Sequence, residues 1–168
     1  RKGGFVNMAA AVINARQVAL QVLQDVFPGG AYANLALSKH LNAAKLSPVD
    51  RRFVTELVYG TTKACGTLDW MLGHYIKKPL SQTDPMVVNI LRLSLYQLIF
   101  LDKIPASAAV NEAVNLTRKL ANPGASGFVN AVLRSAVREP DKVRYPSLEK
   151  NPVRHIALRE YHPEWLVR

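Results

Sequence analysis

Cysteine is almost absent from this sequence, since Cys65 is the only one among 168 residues. A single cysteine excludes a disulfide framework within the chain and a zinc site built from several thiolates. It is also typical of a reducing compartment, so we predict a cytoplasmic protein. No apolar run approaches the roughly 18–20 residues that a membrane-spanning helix needs. The sequence therefore predicts neither a membrane nor a metal as a partner.

Acidic residues are also scarce. Twelve Asp and Glu face 22 Lys and Arg, which gives a formal net charge of +10 at pH 7. The basic excess is spread along the chain and forms no tail, so a binding patch must be created by folding. A polyanion is the partner that such a charge favours, with nucleic acid ahead of an anionic lipid surface.

Signals of catalysis are missing as well. The four histidines have no zinc-helix spacing, and the glycines form no phosphate-binding loop. Cys65 has no evident neighbour that would lower its pKa, so it is predicted to be a packing residue. We therefore predict a binding module with no catalytic residue, no cofactor site and no metal ligands in this chain.

Helical periodicity dominates the sequence, and no convincing run alternates as a strand does. The sequence predicts an all-α protein, a compact bundle of six to seven helices with short turns. The helix that follows Asp84-Pro85 is apolar almost all round, which predicts a central position. Five other helices are predicted. The first ends before Pro28, the second runs from Asn34 to Leu41, and the third follows Ser47-Pro48 and has a bend or break between Gly60 and Gly66. Of the remaining two, one follows Ile104-Pro105 and the other runs from Ser126 to Val137.

Arg92 is a charge inside this most apolar helix. A buried guanidinium needs a partner. Glu56 and Glu112, each on an otherwise apolar-patterned helix, are the expected ones.

The amino-acid composition changes after Arg138, where polar residues and prolines replace the apolar helical pattern. Residues 139–152 are predicted to be a polar, proline-bearing linker, and residues 153–168 the start of a further region. The cluster Trp165-Leu166-Val167 has little to pack on, so we expect a larger protein. Residues 1–11 are interpreted as an N-terminal extension, with Met8 as a possible natural start.

Polar residues form two stripes at helical spacing. Asn130, Arg134 and Arg138 recur every four residues, and Asn111 and Asn115 are continued by either Arg118 or Lys119. Guanidinium groups bind phosphates and stack on bases, while asparagine reads base edges, so these stripes suit RNA. The alternative is two ordinary solvated faces.

Three further arginines lie near helix starts. Arg51 and Arg52 occupy a first turn, where the helix dipole disfavours cations, so another interaction must offset that cost. Arg16 is expected to project from the polar face of the first helix.

Many segments in order resemble a known family. Residues 109–114 (AVNEAV) and 128–134 (FVNAVLR) are similar to the signature of the NusB family of all-helical RNA-binding bundles. Within it the chain most resembles the N-terminal domain of the RsmB (Sun, Fmu) ribosomal RNA cytosine-5 methyltransferases, over residues 12–138. Residues 14–16, 32–37, 50–61, 66–70, 91–98 and 104–106 carry this resemblance, and residues 162–167 are similar to the entry into the next region of those enzymes.

The resemblance implies an RNA-binding or targeting domain of a bacterial methyltransferase that acts on small-subunit ribosomal RNA. Its catalytic cysteine and its cofactor, S-adenosylmethionine, would belong to a Rossmann-like domain outside this sequence. The implied partners are ribosomal RNA and that catalytic domain. The candidate RNA contacts are Arg16, Arg51, Arg52, Lys63, Arg118, Lys119, Asn130 and Arg134.

Two alternatives stay open. One is a transcription antitermination factor that binds RNA together with a ribosomal protein. NusB proper has an arginine-rich start to its first helix, whereas this chain has only Arg16 there. The other alternative is a scaffold that packs on the catalytic domain without touching RNA.

Overall fold

The computed structural model describes residues 15–143, and within that range the chain forms seven α-helices and no strand. The predicted all-α bundle of six to seven helices is confirmed. The predicted N-terminal extension, residues 1–11, lies outside the described residues, and so do residues 12–14. Residues 144–168, which hold most of the predicted linker and the predicted further region, lie outside them as well. The helices are α1 (residues 15–26), α2 (Ala33–Ala43), α3 (Pro48–Lys63), α4 (Cys65–Leu72), α5 (Pro85–Phe100), α6 (Ala106–Leu120) and α7 (Ser126–Arg138).

The chain divides into two compact units, and the boundary falls after Thr62, in the last turn of α3. In the first unit α1 buries Ala15, Ala19, Val22 and Leu23, which are spaced as one helical face. The turn after α1 requires glycine, because a Cβ at Gly29 would collide with the carbonyl oxygen of Asp25, and Gly30 has a φ of 80°.

A short hydrogen bond joins α2 to the end of α1. Nε2 of His40 lies 2.7 Å from Oδ2 of Asp25, and Nζ of Lys39 lies 3.8 Å from the same oxygen. His40 therefore has a structural role, as expected of a histidine without metal-ligand spacing.

The predicted bend between Gly60 and Gly66 is a break at Ala64, where α3 ends and α4 begins. Ala64 has a ψ of 5°, outside the α-helical range. The prediction of a bend or break in this stretch is confirmed.

Helix α5 is the centre of the second unit and packs against α4, α6 and α7. Its buried residues surround the helix, which confirms the central position that its apolar pattern predicted. Oδ1 of Asp84 accepts a hydrogen bond from the Met86 amide at 2.9 Å, so Asp84-Pro85 begins the helix as a cap followed by proline.

The partner of Arg92 is Asp69 and neither of the expected glutamates. Nε and Nη2 of Arg92 donate to the two carboxylate oxygens of Asp69 at 2.7 and 2.8 Å, and Nη1 donates to Oδ1 of Asn89 at 2.9 Å. Burial lowers the pKa of Arg92, but the hydrogen bonds with Asp69, together with the charge interactions with Cys65 and Asp69, outweigh burial, so the pKa is raised. The prediction was wrong about the partner because Asp69 lies on α4, which packs on α5, and a sequence pattern does not show which helices pack together.

Helices α6 and α7 form a helical hairpin joined by a 3₁₀ turn, Pro123–Ala125. Oδ1 of Asn122 accepts from the Gly124 amide at 2.9 Å, and Oγ of Ser126 donates to the carbonyl oxygen of Pro123 at 2.7 Å. These bonds fix the turn that brings the two polar stripes side by side.

A 3₁₀ turn, Pro140–Lys142, follows α7 and is held against the end of α4. Oη of Tyr75 donates to the carbonyl oxygen of Glu139 at 2.8 Å, and Nζ of Lys142 lies 5.8 Å from the centre of the Tyr75 ring. The last described residues are therefore fixed against the segment that follows α4. Among residues 15–143, no helix has the length and apolarity that crossing a membrane requires.

Candidate nucleic-acid interface

A polar groove of about 460 Å³ lies between α6 and α7 in the second unit. Asn111, Asn115 and Arg118 line it from α6, and Ser126, Gly127 and Asn130 line it from the start of α7, with Val114 between them. The described residues that line this groove include no carboxylate. The two stripes identified from the sequence thus face each other across one surface.

The stripe of α7 continues beyond the groove. Nε of Arg134 donates to Oδ1 of Asn130 at 2.9 Å, which orients both side chains. Arg134 is exposed and so is Arg118, so both guanidinium groups face solvent at this surface. A pair of cations beside three amides can bind phosphate oxygens and hydrogen-bond base edges at the same time.

The structure resolves the choice left open on α6, because Arg118, and not Lys119, lines the groove. Lys119 is exposed on the same last turn, where both cations also interact favourably with the C-terminal end of the helix dipole. Lys63 is exposed in the last turn of α3, a comparable position.

The arginines of the first unit have mostly structural surroundings. Arg16 is only 5% exposed and its guanidinium carbon lies 5.6 Å from the centre of the Phe53 ring, so the prediction that it projects from a polar face was wrong. Nη1 of Arg51 donates to the carbonyl oxygen of Leu41 at 2.9 Å, which stabilises the C-terminal end of α2. That bond is the compensating interaction expected for a cation in a first turn. Arg52 is exposed.

A second groove, of about 510 Å³, lies on the other side of α7. Phe128 lines it and is 39% exposed, although the helical periodicity of α7 predicts that it is buried with Val129 and Leu133, which are buried; for Phe128 that prediction was wrong. Lys77 and Lys78, both exposed, lie at the same groove. An accessible ring beside two cations can stack on an unpaired base. Sequence analysis missed this surface because Phe128 lies at the edge of the apolar stripe, where periodicity alone does not settle exposure.

Cys65 has the properties of a structural thiol. Burial, followed by the neighbouring Asp69 carboxylate, raises the pKa of Cys65 from 9.0 to about 11. Its Sγ lies 3.9 Å from Oδ2 of Asp69, to which the thiol donates. A nucleophilic cysteine needs a lowered pKa, so this one is unsuited to attack on a substrate. No cluster of His, Cys, Asp and Glu in residues 15–143 could hold a metal ion.

The fold and its polar groove define an all-helical bundle with a cationic, amide-rich surface on one helical hairpin. The model of the NusB family matches residues 13–138, and the chain belongs to that family. A solved structure of NusB from T. maritima superposes with a TM-score of 0.70 at 20% identity, covering 78% of this chain and 95% of that one. This likeness supports the fold.

Longer proteins are similar over more of the chain. The "Probable ribosomal RNA small subunit methyltransferase B" of Bacillus subtilis (strain 168) is 42% identical over 157 residues, which cover 92% of this chain and 34% of that protein. The "Ribosomal RNA small subunit methyltransferase B" of Pseudomonas putida KT2440 is 36% identical over 154 residues, with the same coverage. The chain thus spans about a third of the length of these curated relatives.

Proposed function

We propose that this chain is the RNA-binding, targeting part of a small-subunit ribosomal RNA methyltransferase, and that the groove between α6 and α7 binds the RNA. The observation that carries the proposal is the groove itself. It joins Asn111, Asn115 and Asn130 with Arg118, and with Arg134 at its edge, in one exposed surface whose lining includes no carboxylate.

Each group has a distinct part in the proposed binding. Arg118 and Arg134 neutralise phosphates, which supplies affinity that depends on salt. The three asparagines hydrogen-bond base edges or 2′-hydroxyls, which supplies preference for particular RNA. Phe128, with Lys77 and Lys78, offers a stacking position on the other side of the same helix.

The methyltransferase part of the proposal rests on the extent of similarity. The relatives named as methyltransferases match 92% of the chain. The NusB family model matches only residues 13–138, which is a shorter stretch. The similarity therefore continues beyond the bundle, which favours a methyltransferase over a free-standing NusB factor. In this proposal the methyl donor, S-adenosylmethionine, binds to the part of the longer protein outside this chain, in the cytoplasm. The residues of the bundle bind and orient RNA.

The test is a salt titration of binding to a small-subunit ribosomal RNA fragment, with the unchanged chain compared with Arg134→Glu. We expect the variant to bind about tenfold or more weakly at low salt, and its log–log salt slope to be smaller by about 1, because one phosphate contact is lost. Asn115→Ala should weaken binding with an unchanged slope, since an amide releases no counterion.

Lys103→Glu is the matched control, because Lys103 is exposed in the connection that precedes α6 and does not line the groove. Equal losses in Arg134→Glu and Lys103→Glu would mean that only the net charge matters, and would refute the assignment of the groove. Absence of binding by the folded chain at low salt would leave the scaffold alternative. Stronger binding to an antitermination RNA element than to the ribosomal fragment would favour the antitermination alternative.

A further inference from the structure

The second unit has an apolar groove that RNA binding does not use. It has a volume of about 370 Å³ and lies among α4, α5, the start of α6 and the end of α7. Met71, Leu95, Leu98, Ile99 and Val137 line it, and none of its described lining residues is charged. Ile99 is 41% exposed and Val137 is 46% exposed, so two branched aliphatic side chains face solvent at one site. An apolar concavity of this size is suited to bury large apolar side chains.

The described chain ends at this groove. Val143, the last described residue, lines it together with Pro140. The hydrogen bond from Tyr75 to the carbonyl oxygen of Glu139 holds the preceding turn in place, and Tyr75 is also a lining residue. The residues that follow therefore start at the rim of the groove.

We propose that the groove binds the Trp165-Leu166-Val167 cluster of this chain's own C-terminal segment. In the sequence this cluster has little to pack on, and the groove is a surface that the sequence did not predict. Residues 144–168 lie outside the described residues. Their sequence has two runs of three consecutive apolar residues, Ile156-Ala157-Leu158 and Trp165-Leu166-Val167, and the second has the larger apolar side chain, a tryptophan. A tryptophan side chain can bury roughly 150–250 Å². The tether between Val143 and Trp165 makes the contact intramolecular, so its effective concentration is high, on the order of millimolar.

This contact has a consequence for the longer protein. It would fix the orientation of whatever follows residue 168 relative to the bundle, through a surface separate from the proposed RNA groove. The inference does not depend on RNA binding, and the two can fail independently.

The fluorescence of Trp165 tests the inference in the full chain. The chain has two tryptophans, Trp70 and Trp165, so Trp70→Phe isolates the emission of Trp165. We expect that emission to be blue-shifted relative to the unfolded chain and several-fold less quenched by acrylamide. The double substitution Ile99→Asp/Val137→Asp should then shift the emission to the red and restore quenching, because two charges at the rim oppose an apolar occupant.

Val49→Asp, at a residue 64% exposed and outside the groove, is the control and should leave the emission unchanged. Circular dichroism confirms that each variant is folded. Where Trp70→Phe reduces folding, the difference spectrum between the chain and Trp165→Phe reports the same emission. The proposal is overturned if acrylamide quenches Trp165 in the Trp70→Phe chain as strongly as in the unfolded chain. It is also overturned if Trp165 is protected from acrylamide but the double substitution does not change that protection.

Discussion

At the scale of single residues, Asp69 joins two side chains of different character. Its carboxylate pairs with Arg92 and also accepts from the thiol of Cys65. The first contact compensates a charge inside the most apolar helix. Burial is the main cause of the raised pKa of Cys65, and the Asp69 carboxylate adds to it. One carboxylate thus contacts the two most unusual side chains of the second unit.

The pH dependence of Cys65 alkylation follows from this arrangement. Because the pKa of Cys65 is raised to about 11, the reactive thiolate is scarce at pH 8 and increases only as the pH approaches that value. We expect iodoacetamide to modify the folded chain far more slowly than the unfolded chain at pH 8. The rate, followed by mass spectrometry, should rise through pH 9 and 10 as long as the chain stays folded. A plateau near pH 9 would contradict the raised pKa.

The contacts of the arginines are also where sequence reasoning succeeded only in part. The pattern correctly required compensation for Arg51 and a partner for Arg92, since both requirements follow from charge and burial alone. It could not identify Leu41 or Asp69, because a partner on another helix depends on tertiary packing. The burial of Arg16 against Phe53 was not predicted either, because Phe53 lies on another helix.

At the scale of the helices, capping residues and prolines in the sequence predicted the helix boundaries well. Asp84-Pro85 and Asn122-Pro123-Gly124 act locally, through a side-chain cap or a proline, so their positions can be read without tertiary information. The two polar stripes face each other because α6 and α7 form a hairpin. The sequence predicted two successive helices but not their packing, so it did not predict that the stripes face each other.

Gly127 gives a prediction at this scale. It lies at the second position of α7, lines the polar groove, and a Cβ there would meet no atom within 4 Å. Gly127→Ala should therefore stabilise the fold by about 0.4–1 kcal/mol, because alanine reduces the entropy of the unfolded chain. The added methyl group should weaken RNA binding by narrowing the groove. Thermal denaturation and the RNA titration measure the two effects.

Gly66 offers a matched control for this substitution. It lies at the second position of α4, is exposed, and also has open space where a Cβ would lie. Gly66→Ala should give a similar gain in stability with unchanged RNA affinity. If both variants lost RNA affinity equally, the position of the groove would be wrong.

At the scale of the whole molecule, the second unit depends on α5. Leu91 is fully buried in this helix, whereas Ile99 on the same helix is 41% exposed. Leu91→Ala should lower the free energy of unfolding by about 2–5 kcal/mol, because the cavity forms where packing from several helices limits relaxation. Ile99→Ala should cost clearly less. Urea denaturation compares the two, and equal losses would contradict the central position of α5.

The overall architecture was the most predictable feature of the chain. An apolar pattern that surrounds one helix and forms single faces on the others specifies a central helix and its neighbours. The break at Ala64 was predicted, but the division into two units was not, because a break in a helix does not show which other helices pack with each part.

The length of α7 has a consequence beyond packing. The polar groove lies along the first turns of this helix, and the turn held by Tyr75 lies just after its last residue. Thirteen residues at 1.5 Å each make α7 a rigid spacer of about 20 Å. Under the proposed function, RNA bound at the first turns of α7 would lie at a fixed distance of about 20 Å from the chain segment that follows its last turn.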